Sequence, residues 1–477
     1  MSIASEKLNP TGTVLAFVAI LILALWLRLP TDEGHLFNID EVIPVEVSKA
    51  MIEHGNLNPN WALANLPDYF RYDQYNFYFY MIIGHLSQLM GDIFDISDLT
   101  SLRFLNIICS LLTITLIGLA LRNFGLPRRY VAITGVVLCF APTLVFDAAI
   151  ARPESLTYFV VALGVYVVST RLNQGLMTIA LAAIIAMGVA IKVTMAVLIF
   201  PLLILFLFFR DEDARSTVKT AALFGVAFLV TLFVIAPYAF INYETTIHGF
   251  LALREQYNGL HPPHSLLETH VLSYTFWILR FFLELYGFWF LFATVGFAIA
   301  SPARRVIIAA LLIPFFILLI YFGTKTVFFE RNFAHTIPLV LIAGIVGLQT
   351  ISERFLKGKM GVAIAAIALI PGVYWSLQIA ESVYDTTKPL EQFEAQQGLT
   401  AFLRIGDPSV MNVAPPPACG QISFRDYNDA FSRRYRAQLQ ISGYREVNRF
   451  TSRFAPLAGS TLQTYLESNS LYFQKNC

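Results

Sequence analysis

LMTIALAAIIAMGVAIKVTMAVLIFPLLILFLFF, residues 176–209, is a run of 34 residues broken only by Lys192 and Thr194. A single helix crosses a hydrocarbon core of roughly 30 Å with about 20 residues. The run is therefore too long for one crossing and reads as two short helices, 176–191 and 193–209, meeting at a polar corner. The composition around it agrees: 56% of the 477 residues are hydrophobic and only 14% charged, against roughly a quarter charged in soluble domains. Net charge is +1, which gives no reason to expect a nucleic-acid partner.

Working outward, comparable apolar stretches lie near 12–29, 101–121, 130–149, 154–170, 217–238, 274–299, 305–323, 334–350 and 360–380. The fold class expected is an all-α polytopic membrane protein of about 11 transmembrane helices. Residues 12–29 end in Trp26-Leu27-Arg28-Leu29 without a small-residue cleavage site, so they read as a retained span and not a signal peptide. Short loops rich in Lys and Arg (122–129, 210–219, 303–305, 353–359) fall on one side of an eleven-span count. The positive-inside bias makes that side cytoplasmic. The loops 30–100 and 239–273 and the tail 381–477 are then exoplasmic. Two domains follow: a transmembrane catalytic domain, 1–380, and a C-terminal exoplasmic domain, 381–477, whose helical start, proline-rich middle and short β-like runs suggest a small α/β lobe.

The loop 30–100 is too long for a plain connector. It holds two amphipathic pieces, 41–55 and 76–91, expected to be surface helices. The first opens on Asp40-Glu41. Capping a helix N-terminus would account for one of these carboxylates; a general base that takes the proton of an attacking hydroxyl or amine is the functional reading, with Asp40 preferred.

Four other constellations share the expected exoplasmic face. ARPES (151–155) places Arg152 and Glu154 at a helix start, with Asp147 a turn earlier; ionisable groups at membrane depth are costly and usually functional. Lys192 must snorkel, pair with an acid or meet an anion. FFERNFAHTIP (328–338) gathers Glu330, Arg331 and His335. Arg152, Lys192 and Arg331 together suit a phosphate. YFRYDQYNFYFY (69–80) interleaves tyrosines with Arg71 and Asp73, the chemistry of a sugar site or of an interfacial belt. All eight histidines fall on this face, yet no pair has the spacing of a metal site. Metal ligands are assigned to none, and a divalent cofactor is left open. Of four cysteines, Cys109 and Cys139 lie in spans; Cys419 and Cys477 could be a disulfide or two thiols.

The first span followed by IDEVIPVEVSKAMIEHGNLNPNW, Arg103 at the head of the second span, ARPESL (151–156), GVAIKVTMAVLIFPLLI (188–204) and ERNFAHTIPLVLIAG (330–344) together resemble the GT-C superfamily of membrane glycosyltransferases. The similarity is to the branch of protein O-mannosyltransferases and lipid A aminoarabinose transferases. The resemblance implies an inverting hexosyl- or pentosyltransferase that uses a polyprenyl-phosphate-linked sugar at the exoplasmic face of a bacterial inner membrane, with a lipid, glycan or protein as acceptor. It implies Asp40 as base with Glu41 and Glu154 as further catalytic acids. Arg152, Lys192 and Arg331 would hold the donor phosphate. Arg71, Tyr72, Asp73 and His335 are expected at the sugar or acceptor; the sequence departs from the family pattern at 71–74. The absence of a Gly-rich phosphate loop fits a donor that carries no nucleotide. The competing class is a secondary transporter or lipid flippase with an intramembrane Lys192/Glu154 site; repeat symmetry, which it predicts, is not evident.

Overall fold

The computed structural model describes residues 10–29, 41–64, 78–170, 172–208, 214–259, 271–356, 359–385, 404–405, 420–426, 430–452 and 468–475. Asp40, Arg71, Tyr72, Asp73, Cys419 and Cys477 lie outside these residues. The chain divides into two compact units: 1–249 with 286–317 and 333–377, and 250–285 with 318–332 and 378–477.

Each expected apolar segment coincides with helix. In chain order the helices are α1 (Pro10–Trp26), α2 (Val42–Glu53), α3 (Tyr78–Phe94), α4 (Asp98–Asn123), α5 (Arg128–Cys139), α6 (Pro142–Ala148), α7 (Glu154–Ser169), α8 (Gln174–Ile191), α9 (Ile199–Phe208) and α10 (Ala214–Ile235). They continue as α11 (Pro237–Ile241), α12 (Tyr243–Gln256), α13 (Val271–Ile299), α14 (Pro302–Gly323), α15 (Ile337–Phe355), α16 (Lys359–Asp385) and α17 (Ala430–Ile441). Among the described residues seven helices are long and apolar enough to cross a membrane, and α5 with α6 makes an eighth if their 54° bend is one broken span. Val14–Trp26, Glu154–Ser169 and Val193–Phe208 are apolar but shorter. The chain is a multi-pass membrane protein.

The polar corner expected in 176–209 is present. α8 stops at Ile191, Lys192 turns extended (φ −158°, ψ 123°), and Val193–Leu198 continues as a 3-10 helix into α9. Gly188 permits the corner, because a Cβ there would stand 3.1 Å from Met195 Cε.

α4 shows how the first unit holds together. Its Ser97 N-cap accepts from Thr100 N, and Gly125 closes its other end at φ 81°. Between them Arg103, Asn106, Ser110 and Thr113 recur at intervals of three and four and are all fully buried. The stripe is the inverse of a soluble amphipathic helix: polar groups face protein, where partners exist, and Phe104, Ile108, Leu112 and Leu119 face outward. Ser110 accepts from Arg28 Nε at 2.9 Å, and the other Arg28 nitrogens reach the carbonyls of Ala24, Leu138 and Cys139 at 3.0–3.2 Å.

α13 and α15 touch backbone to backbone within the first unit. A Cβ on Gly344 would stand 2.8 Å from Trp289 O, and side chains at Gly296 or Gly347 would collide with the facing main chain.

In the second unit the tail contains a four-stranded sheet of order β1-β2-β4-β3: β1 (Arg404–Ile405), β2 (Gly420–Asp426), β3 (Arg445–Ser452) and β4 (Ser468–Lys475). β1 pairs parallel to β2, the other pairs are antiparallel, and β3 carries an irregularity between Glu446 and Asn448. With α17 this is the α/β lobe expected from the sequence.

Candidate functional site

The turn 149–153 between α6 and α7 is buried, with Ala149, Ile150, Ala151 and Arg152 at 0–5% exposure. A buried turn must find partners for its peptide groups. Here some of them are backbone groups and three of the bonds come from side chains. Glu41, the residue before α2, accepts from Ala151 N at 2.6 Å, and Asn106 Nδ2 donates to the carbonyls of Ile150 and Arg152, the latter at 2.8 Å.

Glu41 is itself held by Arg103 in a bidentate pair, Nε to Oε1 at 3.0 Å and Nη2 to Oε2 at 2.9 Å. Both side chains are fully buried. Glu41 makes no capping bond to α2, so helix capping does not explain this carboxylate. Its oxygens are committed to a guanidinium and a peptide N–H, which pins the entry of α2 against the head of α7.

The pinned turn presents the ARPES residues. Arg152 Nη2 donates to Asp147 Oδ1 at 3.1 Å, and Tyr158 donates its hydroxyl proton to Asp147 Oδ2. Arg152 Nε lies 3.6 Å from Glu154 Oε2, and Glu154 Oε1 accepts from Lys192 Nζ at 3.1 Å. The extended backbone at Lys192 places a buried ammonium where α8 ends. One strand of ion pairs therefore runs Asp147–Arg152–Glu154–Lys192, with all four groups under 10% exposed.

His335, just ahead of α15, joins this group. It is fully buried, lies near the charges of Lys192 and Glu154, and approaches the Thr194 backbone. The structure thus gathers Glu41, Arg152, Glu154, Lys192 and His335 from four separate places in the sequence. Arg331 belongs to the second unit, where its guanidinium lies 4.8 Å from the centre of the Phe329 ring.

Two contributors were not singled out from the sequence. Tyr80 is fully buried beside Asn106, Glu41 and Glu154; it stood inside an aromatic run where an interfacial belt explains any one tyrosine. Asn106 had a usable signal, an amide in the middle of an apolar span. Among the described residues no group of three or more His, Cys, Asp or Glu could hold a metal ion.

The fold around this turn has known counterparts. The structure of ArnT from Cupriavidus metallidurans bound to undecaprenyl phosphate superposes with a TM-score of 0.55 at 20% identity, covering 79% of this chain and 70% of that one. The fold is that of the GT-C membrane glycosyltransferases. Apo ArnT gives a TM-score of 0.52 over 78% of this chain. The apo oligosaccharyltransferase of Archaeoglobus fulgidus matches with a TM-score of 0.51 at 13% identity, covering 80% of this chain and 57% of its own. In sequence, the GT-C resemblance is carried by residues 81–241, which match the family model described as dolichyl-phosphate-mannose-protein mannosyltransferase. A sequence search among curated proteins finds no match. The matched segment contains Arg103, Asn106, Asp147, Arg152, Glu154 and Lys192.

Proposed function

We propose that this protein is an inverting glycosyltransferase that moves a sugar from a polyprenyl-phosphate-linked donor to an acceptor at the exoplasmic membrane face, with Asp40 as general base. The observation that carries this reading is the buried Arg152–Glu154–Lys192 group at a broken helix, next to the pinned Glu41. Such a donor is already activated by its phosphate leaving group. The protein then needs cations for the departing phosphate and a base for the acceptor. Lys192 and Arg152 supply the first. Asp40 is covalently next to Glu41, and Glu41 holds that stretch of chain against the ARPES turn. Glu154 keeps the two cations together between turnovers. The match of residues 81–241 to a mannosyltransferase family model, and the undecaprenyl phosphate of the similar ArnT structure, support the donor class. Arg71, Tyr72, Asp73 and His335 are assigned to the sugar or acceptor.

The test is transfer of label from radiolabelled polyprenyl-phosphate sugars by purified protein supplied with membrane extract as acceptor. Asp40→Asn is expected to abolish transfer while expression and melting temperature stay near those of the parent. Full activity in that variant would sink the base assignment. Absence of transfer from every donor, with lipid movement across proteoliposomes instead, would favour the transporter.

A further inference from the structure

Charge also gathers at the end of the first unit away from the ARPES turn. α15 begins just after His335 and reaches Ser352 roughly 25 Å further along its axis. There three of the basic segments expected on the cytoplasmic side meet. Arg304 Nη1 donates to Glu353 Oε2 at 2.5 Å, Gln349 Nε2 donates to Glu353 Oε1 at 2.7 Å, and the same carboxylate lies near the charge of Arg129. Arg305 and Arg354 are committed to the last carbonyls of α13, those of Phe297, Ala298 and Ile299, at 2.8–3.1 Å. The positive-inside bias accounts for basic residues here, so charge alone assigns nothing.

Two further observations point to a ligand. Tyr130, in the first turn of α5, is fully buried, and its hydroxyl has no hydrogen-bond partner among the described residues. Buried polar groups almost always have one. This hydroxyl is aimed at the first turn of α16: a Cβ on Gly361 would stand 3.1 Å from Tyr130 Oη and 2.5 Å from Ser352 Oγ. The first N–H groups of a helix have no partner within it, and no acidic residue stands in the first turn of α16 to balance them. The second observation is Arg129. It too lies in the first turn of α5, where a cation opposes the helix dipole. Its Nε is buried without a hydrogen bond, and its guanidinium lies 5.3 Å from the centre of the Tyr130 ring. Hydroxyls, first-turn peptide groups and a guanidinium can all donate, and together they suit a phosphate. The exposed Phe355, Met360 and Val362 flank the same helix ends, so the ligand that fits has an apolar part as well.

We infer that the start of α5, the end of α15 and the start of α16 hold the phosphate of an anionic phospholipid, in the leaflet opposite the ARPES turn. Tyr130, Ser352 and the first turn of α16 donate to its oxygens, and Arg129 supplies the countercharge. Basic pockets between membrane helices bind headgroups in this way. The site shares no residue with the Arg152–Glu154–Lys192 group, so it stands or falls apart from the glycosyltransferase reading.

Native mass spectrometry and thermal melting of the full-length protein test it, with phosphatidylglycerol, phosphatidylcholine and inorganic phosphate as the probes. The parent is expected to retain phosphatidylglycerol in preference to phosphatidylcholine, and to melt higher with phosphatidylglycerol but not with inorganic phosphate at the same concentration. Arg129→Gln should weaken phosphatidylglycerol binding about tenfold, the size of one charge-assisted hydrogen bond. Tyr130→Phe should weaken it by a smaller factor, and both variants should bind phosphatidylcholine as the parent does. Without lipid, Tyr130→Phe should melt no lower than the parent, because it loses only an unpaired hydroxyl. Equal binding of phosphatidylglycerol by the parent and both variants overturns the inference, as does a parent that does not tell the two lipids apart. Stabilisation by inorganic phosphate to the same degree overturns the lipid assignment in favour of a soluble phosphate. A Tyr130→Phe variant that melts lower and binds both lipids equally weakly makes the hydroxyl structural and overturns its role.

Discussion

The chain turns sharply at the end of α5 and at the end of α8, and each turn is served by a buried cation in a different way. Between α5 and α6 the chain bends by 54°, and Arg28, just past the end of α1, donates to the carbonyls of Leu138 and Cys139 there. Ser110 and Ala24 complete its partners, so every contact of Arg28 is to a neutral acceptor within the fold. At the end of α8 the cation sits in the break itself, and Lys192 reaches the Glu154 carboxylate, which also lies 3.6 Å from Arg152 Nε. The first arrangement closes a defect in the backbone. The second gathers charged groups of both signs where two helices meet.

The sharpest way to break this comparison is Arg28→Met. It removes four hydrogen bonds from a charged donor in a buried site, where such bonds contribute about 1.5–3 kcal/mol each. Loss of folded protein in detergent, read by size exclusion and thermal melting, is the expected outcome. Glu41→Ala comes next: it leaves Arg103 buried without its carboxylate, at a cost of about 3–5 kcal/mol, and should lower the melting temperature far more than Asp40→Asn, one residue away.

Lys192→Met should act on function instead. Transfer from a polyprenyl-phosphate sugar is expected to fall by about a hundredfold or more, as for loss of one electrostatic contact to the transition state. The stability lost by leaving Glu154 without Lys192 should be largely restored in Lys192→Met/Glu154→Gln, with no return of activity. Recovery of transfer in the double variant would make the pair architectural, like Arg28. The mildest change is Tyr286→Phe, which removes the bond of 2.7 Å to Thr143 Oγ1 and the longer one, 3.1 Å, accepted from Thr143 N at the start of α6. About 1 kcal/mol of stability and no activity should be lost, as measured by thermal melting beside the transfer assay.

The helices and the corner at Lys192 were legible because apolar length and an isolated charge are local signals. Arg152, Glu154, Lys192 and His335 were legible for a related reason: ionisable groups stand out against hydrocarbon. Their partners were not, because partner choice is a tertiary matter. Nothing near Glu41 announces that Arg103, 62 residues on, will grip it, and Arg28 looked like the flank of a first span until Ser110 and the α5 carbonyls were seen around it. The stripe Arg103, Asn106, Ser110, Thr113 was readable in hindsight as the inward face of α4. Tyr80 was not, since its neighbours in sequence are aromatic too.

The glycine contacts between α13 and α15 carry one more implication. Helices that meet through side chains can slide or rotate by repacking rotamers, whereas these two meet main chain to main chain at Gly296, Gly344 and Gly347. Sliding by one residue moves a helix 1.5 Å along its axis and would carry a Cβ into the opposing backbone. The seam therefore works as a detent: α15 has one axial setting, and His335, three residues or fewer from its first turn, is held at a fixed height in the membrane regardless of what approaches it.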